Sequence, residues 1–342
     1  MSHRAALTPQ MLQYAAKFDD RGDIRWLPYL MYFHATDHRS EVINTDRLGF
    51  RISHGPDGQR ASAGGQLPDG PVRLLAGSST AFGIGATGDE HTLSSYLWSK
   101  HAQSVPWLNF AGRSHNSTQE LLLFLLYRHL LPQIDEIVIF SGFNNLGLSR
   151  LPASVRGDHG AFFNCSDFFD QMEELSARHR KASGGFGRFG GRRQTGTPAT
   201  YTTVPELSEQ IDLASGLTLR HLDSWRLLAE GMGAKLTFVL QPLATWVREE
   251  PAPQEKKLFE ELDKISNFGE VYGDISSMGA REAYSKALQT GCEQIGVRYF
   301  DLNPALADAI GAKDWLFVDR IHFTDVGHDL VADLLAEHLG VS

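Results

Sequence analysis

Two spacings of apolar residues alternate along this chain from about residue 70 onward. Short, nearly continuous apolar runs recur at VRLLA (72–76), VPWLNF (105–110), EIVIFS (136–141), KLTFVLQP (235–242) and GVRYFDL (296–302). Runs of this length, closed by Gly, Asn or Pro, predict strands buried on both faces. Between them the apolar residues fall at helical spacing, over 91–101, Ser117–Leu131, 205–233 and 324–339. In 205–233 the stripe is Leu207, Ile211, Leu217, Leu222, Trp225 and Leu228. Thr324 is placed to cap the last helix, and Ser117 with Glu120 has the spacing of a capping box. Strands alternating with helices predict an α/β fold: a five-stranded, mostly parallel sheet with helices on both faces, in three layers. In such sheets, sites form at the carboxyl ends of the strands.

The flanking segments break this rhythm. Residues 1–70 read as an N-terminal extension to a main domain over 71–342. Within it, 8–18 is expected to be a helix with Thr8 as cap and Pro9 at its first position. EVINTDRLGFRIS (41–53) reads as strand, turn and strand, and the Gly, Pro, Asp and Ser of 54–70 as a linker. A long insertion occupies about 150–204. Its part 178–203 is rich in Gly and Arg and is expected to be mobile, either a lid or acceptor surface or a solvated loop. Arg178, Arg180, Lys181, Arg188, Arg192 and Arg193 either favour an anionic substrate or carrier protein or are simply solvated.

Charge and cysteine content narrow the function classes. A formal net charge of −9 argues against nucleic-acid binding, which needs clustered cations. The two cysteines, Cys165 and Cys292, form no CxxC pair and suggest no zinc site. No apolar leader opens the chain. The most apolar stretch, LLLFLLYRHLL, is short and carries Arg128 and His129. A soluble cytoplasmic protein without a membrane span is the expectation.

Four strand-end loops carry residues suited to acyl transfer. After the first strand comes Gly77-Ser78-Ser79-Thr80-Ala81-Phe82-Gly83, with a serine entering a helix. After the second, Gly112 can let backbone approach a ligand and offer its amide. After the third, Asn144 in Gly142-Phe143-Asn144-Asn145 can donate to a developing oxyanion without changing charge. In the last loop Asp319 and His322 are three apart, so that Asp can orient the imidazole that takes a serine proton. Each loop alone also reads as an ordinary turn, helix end or ion pair. Their combination at one sheet edge is what points to chemistry.

These four blocks resemble those of the SGNH hydrolase superfamily, which includes the GDSL esterases and lipases. The resemblance spans roughly residues 70–340. Gly77 to Gly83 is similar to the block Gly-Asp-Ser followed four residues later by Gly, which selects Ser79 rather than Ser78. Gly112 matches the second block. Asn144 falls in the third, Gly-x-Asn-Asp, and Asp319 to His322 fits the fourth, Asp-x-x-His. Ser78 and Asn145 stand where the family has Asp. Asn44 to Arg51 is also similar to a strand-turn that precedes this domain in some bacterial members. The resemblance implies a flavodoxin-like SGNH fold and a Ser79–His322–Asp319 triad. It further implies an oxyanion hole from the Ser79 and Gly112 amides and the Asn144 side chain, with no metal or organic cofactor.

The implied substrate is a small-molecule or glycan acyl ester, or a carrier-bound acyl group. The same residues serve a hydrolase or an acyltransferase. A non-catalytic SGNH-fold binding protein is the alternative of another class. An α/β-hydrolase fits less well, because there several strands precede the serine and the Asp and His lie far apart.

Overall fold

A computed structural model describes residues 2–18, 25–151, 153, 156–163, 165, 172–174, 177 and 204–341. The Arg-rich segment 178–203 therefore lies outside the described residues. Five strands form the central sheet: β1 (Val72–Gly77), β2 (Trp107–Ala111), β3 (Ile134–Ser141), β4 (Lys235–Leu240) and β5 (Arg298–Asp301). All neighbours are parallel, in the order β2-β1-β3-β4-β5. This is the flavodoxin-like order, in which the chain winds to opposite sides from a switch point next to β1. Leu74, Leu75, Ile137, Val138, Val239 and Leu240 have no exposed surface. Each such side chain contributes about 1.5–3 kcal/mol of burial, which fixes the sheet at the centre of the molecule.

The register brings the strand ends level. Gly77 pairs with both Ala111 and Phe140, Ser141 with Leu240, and Leu240 with Asp301. The loops that follow therefore share one rim. On one face, α2 (Ser117–Tyr127), α3 (Leu207–Met232) and α4 (Met278–Ile295) pack in a layer. On the other, α5 (Asp325–Leu339) packs against the turns of Leu93–Tyr96 and Leu97–His101. Of those two turns, the second is a π-helix rather than a continuation of an α-helix over 91–101.

The N-terminal segment differs most from its reading. The expected helix, α1, is Met11–Lys17, with Gln10 rather than Thr8 at its N-cap position; Thr8 instead ends a preceding short helix, His3–Leu7. Residues 41–53 do not form two strands; a single bridge joins Thr45 and Arg51. Asp46 Oδ1 instead accepts the amides of Leu48, Gly49 and Phe50 at 2.8–3.1 Å, so a turn replaces the ladder. The expected linker is partly structured. Ser53–His54 pairs with Arg60–Ala61, and Ala61, Ser62 and Ala63 are buried. Leu30, Phe33, Ile43 and Phe50 join the same apolar core as the sheet strands.

The capping box of α2 sits one residue earlier than the spacing suggested. Asn116 accepts from the Gln119 amide at 3.0 Å and Gln119 Oε1 from the Asn116 amide at 3.3 Å. Glu120 is thereby released from capping and turns inward, where Ser141 Oγ donates to it at 2.6 Å. Burial pushes this carboxyl up to about 8, so it is a neutral acid at pH 7. Folding then takes up a proton above the ordinary carboxylate range, and stability falls as pH rises from about 4.5 to about 8. Glu120→Gln keeps the acceptor and removes the titration. Its melting temperature should gain on wild type steadily across that pH window; a gap that does not change with pH would contradict this.

Candidate active site

Ser79 opens a one-turn helix, Ser79–Phe82, directly after β1. The turn is tight because Gly77 has φ +148°, where a Cβ would lie 2.1 Å from the Phe140 carbonyl oxygen. Gly83, at φ +92°, ends the turn in the left-handed region with its amide on the Ser79 and Thr80 carbonyls.

The last loop folds back between Phe317 and Phe323, which form a bridge, and the Val318 amide donates to the His322 carbonyl at 2.9 Å. Inside it, Asp319 Oδ1 accepts the Ile321 and His322 amides, each at 2.8 Å. Asp319 Oδ2 lies 2.8 Å from His322 Nδ1, and His322 Nε2 lies 2.8 Å from Ser79 Oγ. An ionised carboxylate can only accept, so Nδ1 carries the proton. Nε2 is then the lone-pair nitrogen facing the serine hydroxyl. Burial pushes the Asp319 carboxyl up, but the His322 ring and the two amides outweigh it and hold the group below its ordinary value. The first and last loops of the sheet thus meet in one chain of hydrogen bonds.

Side chains with no motif signal support that loop. Glu255 has no exposed surface and accepts the Leu316 and Phe317 amides, both at 3.0 Å. Arg248 donates to the other carboxylate oxygen at 2.7 Å. Arg320 forms a two-pronged pair with Asp263 at 2.6 and 2.7 Å and lies over the Phe259 ring. Only the long spacing between Glu255 and residue 316 hid this bracket from sequence reading.

Asn144 and Gly112 behave differently from each other. Asn144 Nδ2 donates to the His115 carbonyl at 2.7 Å, joining the loops after β2 and β3. A carboxamide has two N–H donors, and this bond uses one. The Gly112 amide, expected to face the site, donates instead to the Gly77 carbonyl at 3.0 Å, extending the β1–β2 ladder. A Cβ at 112 would lie 1.9 Å from His115 Nδ1, so close ring packing accounts for the glycine. The residues of this loop that border the cleft beside Ser79 and His322 are Arg113 and Ser114, the latter at φ +55°.

The two positions that depart from the family pattern have partners. Ser78 Oγ donates to Gln241 at 3.1 Å. Asn145 accepts the Ser117 amide at 3.0 Å and donates to Ser117 Oγ and Thr218 Oγ1, each at 2.6 Å. Asn145 thus pins the start of α2 to α3, which needs the N–H donors that Asp lacks.

The N-terminal segment closes the site from the open side. Arg51 is fully buried; its Nε pairs with Asp89 at 2.7 Å and its Nη1 donates to the Gly83 carbonyl at 2.8 Å. Asn44 donates to the other Asp89 oxygen at 2.8 Å. His34 Nε2 accepts the Arg113 amide at 2.9 Å, and Tyr32 donates to the Ser114 carbonyl at 2.9 Å. Burial, then the nearby His115 and Arg113, hold His34 well below its ordinary value, which leaves it the neutral acceptor this bond requires. The cleft at the Ser79–His322 pair has a volume of about 170 Å³. A larger cavity of about 580 Å³ lies between the 145–161 region and α3, and none of Ser79, Asp319 or His322 borders it.

Among the described residues no cluster of His, Cys, Asp or Glu could hold a metal ion. None of their helices is long and apolar enough to cross a membrane. Cys165 and Cys292 are both buried and free.

Compared with known families, residues 75–330 match the model of the GDSL-like lipase/acylhydrolase family. The chain belongs to that family. Its match begins inside β1 and takes in all four strand-end loops. No curated protein matches the chain. Among solved structures, the chain is similar to a carbohydrate acetylesterase from Sinorhizobium meliloti at 12% identity, covering 79% of this chain and 99% of that one, with a TM-score of 0.44. It is also similar to a catalytic mutant of an acetylxylan esterase from Geobacillus stearothermophilus, at 13% identity, 81% and 98% coverage and a TM-score of 0.43. A third is a lipolytic G-D-S-L family member from Veillonella parvula, at 11% identity, 78% and 97% coverage and a TM-score of 0.44.

The buried Arg51–Asp89 pair ties the N-terminal segment to this GDSL-family core. Arg51→Met should cost about 3–5 kcal/mol, because it leaves the Asp89 charge buried without its partner. Denaturant unfolding checks this; a loss below about 0.5 kcal/mol, the range of neutral surface changes, would contradict it.

Proposed function

We propose that this chain is a serine esterase that cleaves acyl esters through a covalent acyl-enzyme. The observation that carries the reading is the pair of 2.8 Å hydrogen bonds linking Asp319, His322 and Ser79. Neutral His322 takes the Ser79 proton on Nε2 as Oγ attacks the ester carbonyl carbon. Asp319 keeps the other ring nitrogen protonated and stabilises the imidazolium that forms. The tetrahedral oxyanion collapses, the C–O bond to the alcohol breaks, and the alcohol leaves with the proton from His322. Water then repeats the sequence on the acyl-enzyme and releases the acid.

Two donors are assigned to the oxyanion: the Ser79 amide and the second N–H of Asn144. The Gly112 amide is held in the ladder and is not among them. Each donor of this kind is typically worth about 100- to 1,000-fold in turnover. Transfer of the acyl group to a hydroxyl or amine acceptor would use the same residues. It is read in the same assay as ester formation when an alcohol is added.

A fluorophosphonate probe should label wild type on Ser79 and leave Ser79→Ala unlabelled. Asp319→Asn should retain the fold and lower ester turnover by about 10⁴-fold, because the imidazole is then held in the wrong tautomer. Equal labelling of wild type and Ser79→Ala would end the esterase reading.

A further inference from the structure

The family-matched residues begin at 75, yet part of the cleft wall comes from far upstream. Met11, Tyr14, Ala15 and Phe18 border the same cleft as Ser79 and His322, with Ile84 beside them. Resting on the esterase reading above, we infer that this N-terminal wall gauges the acyl group and limits the site to acetyl and other short acyl esters.

Apart from Arg4, which also borders the cleft, the wall is apolar, and it is braced. Met11, Tyr14, Phe18 and Ile84 are each buried to within 5% of full burial. The Tyr14 hydroxyl lies 2.9 Å from the carbonyls of both Gly83 and Ala86 and accepts from Arg51 at 3.0 Å. Phe18 stacks on Phe82 with ring centroids 5.7 Å apart. Gln10 Nε2 donates to the Gly85 carbonyl at 2.9 Å. These contacts fix α1, from Gln10 at its start to Phe18 just past its end, to the segment that follows the nucleophile, so the wall cannot recede without breaking them.

Size and polarity then select the occupant. A cleft of about 170 Å³ falls below the roughly 300–1,000 Å³ of ordinary small-molecule pockets. Of the two halves of an acyl ester, the acyl chain is the apolar one. A polyhydroxy alcohol placed against Met11, Phe18 and Ile84 would lose its water without gaining hydrogen bonds. The acyl group therefore belongs on the α1 side. The alcohol belongs on the side of Arg113 and Ser114, where polar partners are at hand.

The test is kcat/KM of the full chain on p-nitrophenyl acetate, butyrate and hexanoate. Wild type should fall by about 10-fold or more from acetate to hexanoate, since one methylene against a fixed wall is worth about 10- to 200-fold. Ala15 is half-exposed on α1, so Ala15→Leu narrows the cleft without emptying the core. It should slow butyrate more than acetate, so that the butyrate-to-acetate ratio falls by about 10-fold. Met11→Ala should raise the hexanoate-to-acetate ratio by a similar factor. Fluorophosphonate labelling of each variant shows whether Ser79 is intact. A variant that labels like wild type but keeps the wild-type chain-length ratios overturns the inference. So does a change confined to a second series, methyl, butyl and phenyl acetate, because the wall would then hold the alcohol. Hydrolysis that persists in Ser79→Ala, or wild type that turns over no ester, sinks the parent reading instead.

Discussion

The structure depends on one hydrogen bond between residues 243 positions apart, His322 Nε2 to Ser79 Oγ at 2.8 Å. A contact of that sequence separation cannot be held by local propensity. It exists because β1 to β5 end at one level, which puts the loop after the first strand and the loop before the last helix on the same rim. The inner strands are mostly apolar and buried, so a slip of register would expose buried side chains or leave the sheet edge unpaired. The core thus sets the geometry of the Ser79–His322 contact, although the sheet contributes no atom to it.

Around that bond, each loop is held by partners of its own. Gly77 and Gly83 provide the backbone conformations that turn Ser79 outward. Glu255 and Arg320 bracket the Asp319–His322 turn from behind. Asn144 ties the loops after β2 and β3. The N-terminal segment completes the set through Arg51, Asp89, His34 and Tyr32. These are buried charge pairs and neutral acceptors, costly to leave half-made. Asn144 apart, they hold Ser79, Asp319 and His322 in place from behind.

Much of this was legible in the residues. Apolar runs located all five strands, most clearly the inner ones, because strands buried on both faces need such runs; β5 at the edge is only partly buried. Ser79, Asp319 and His322 stood out because their loops combine Gly spacing with a tight Asp-x-x-His turn, features set by local backbone. What escaped reading depends on distant partners. Gly112 looked like an amide donor, and only the position of Gly77 and the His115 ring reveals why it is glycine. Thr8 looked like a cap by type, but the 8–10 turn precedes the helix. Residues 41–53 looked like strand, turn and strand; the turn forms around Asp46, but nothing in the residues showed that the flanks make only one bridge and that Arg51 is buried. Glu255 and the α1 wall carry no motif, and their roles arise only when remote segments pack together.

The relay is tested most directly by turnover in Ser79→Ala, His322→Ala and the double variant, with folding verified for each. Residues that act as one unit lose their effect together. The double variant should therefore be no slower than the worse single variant. Losses that multiply, as they do for independent residues, would contradict the account.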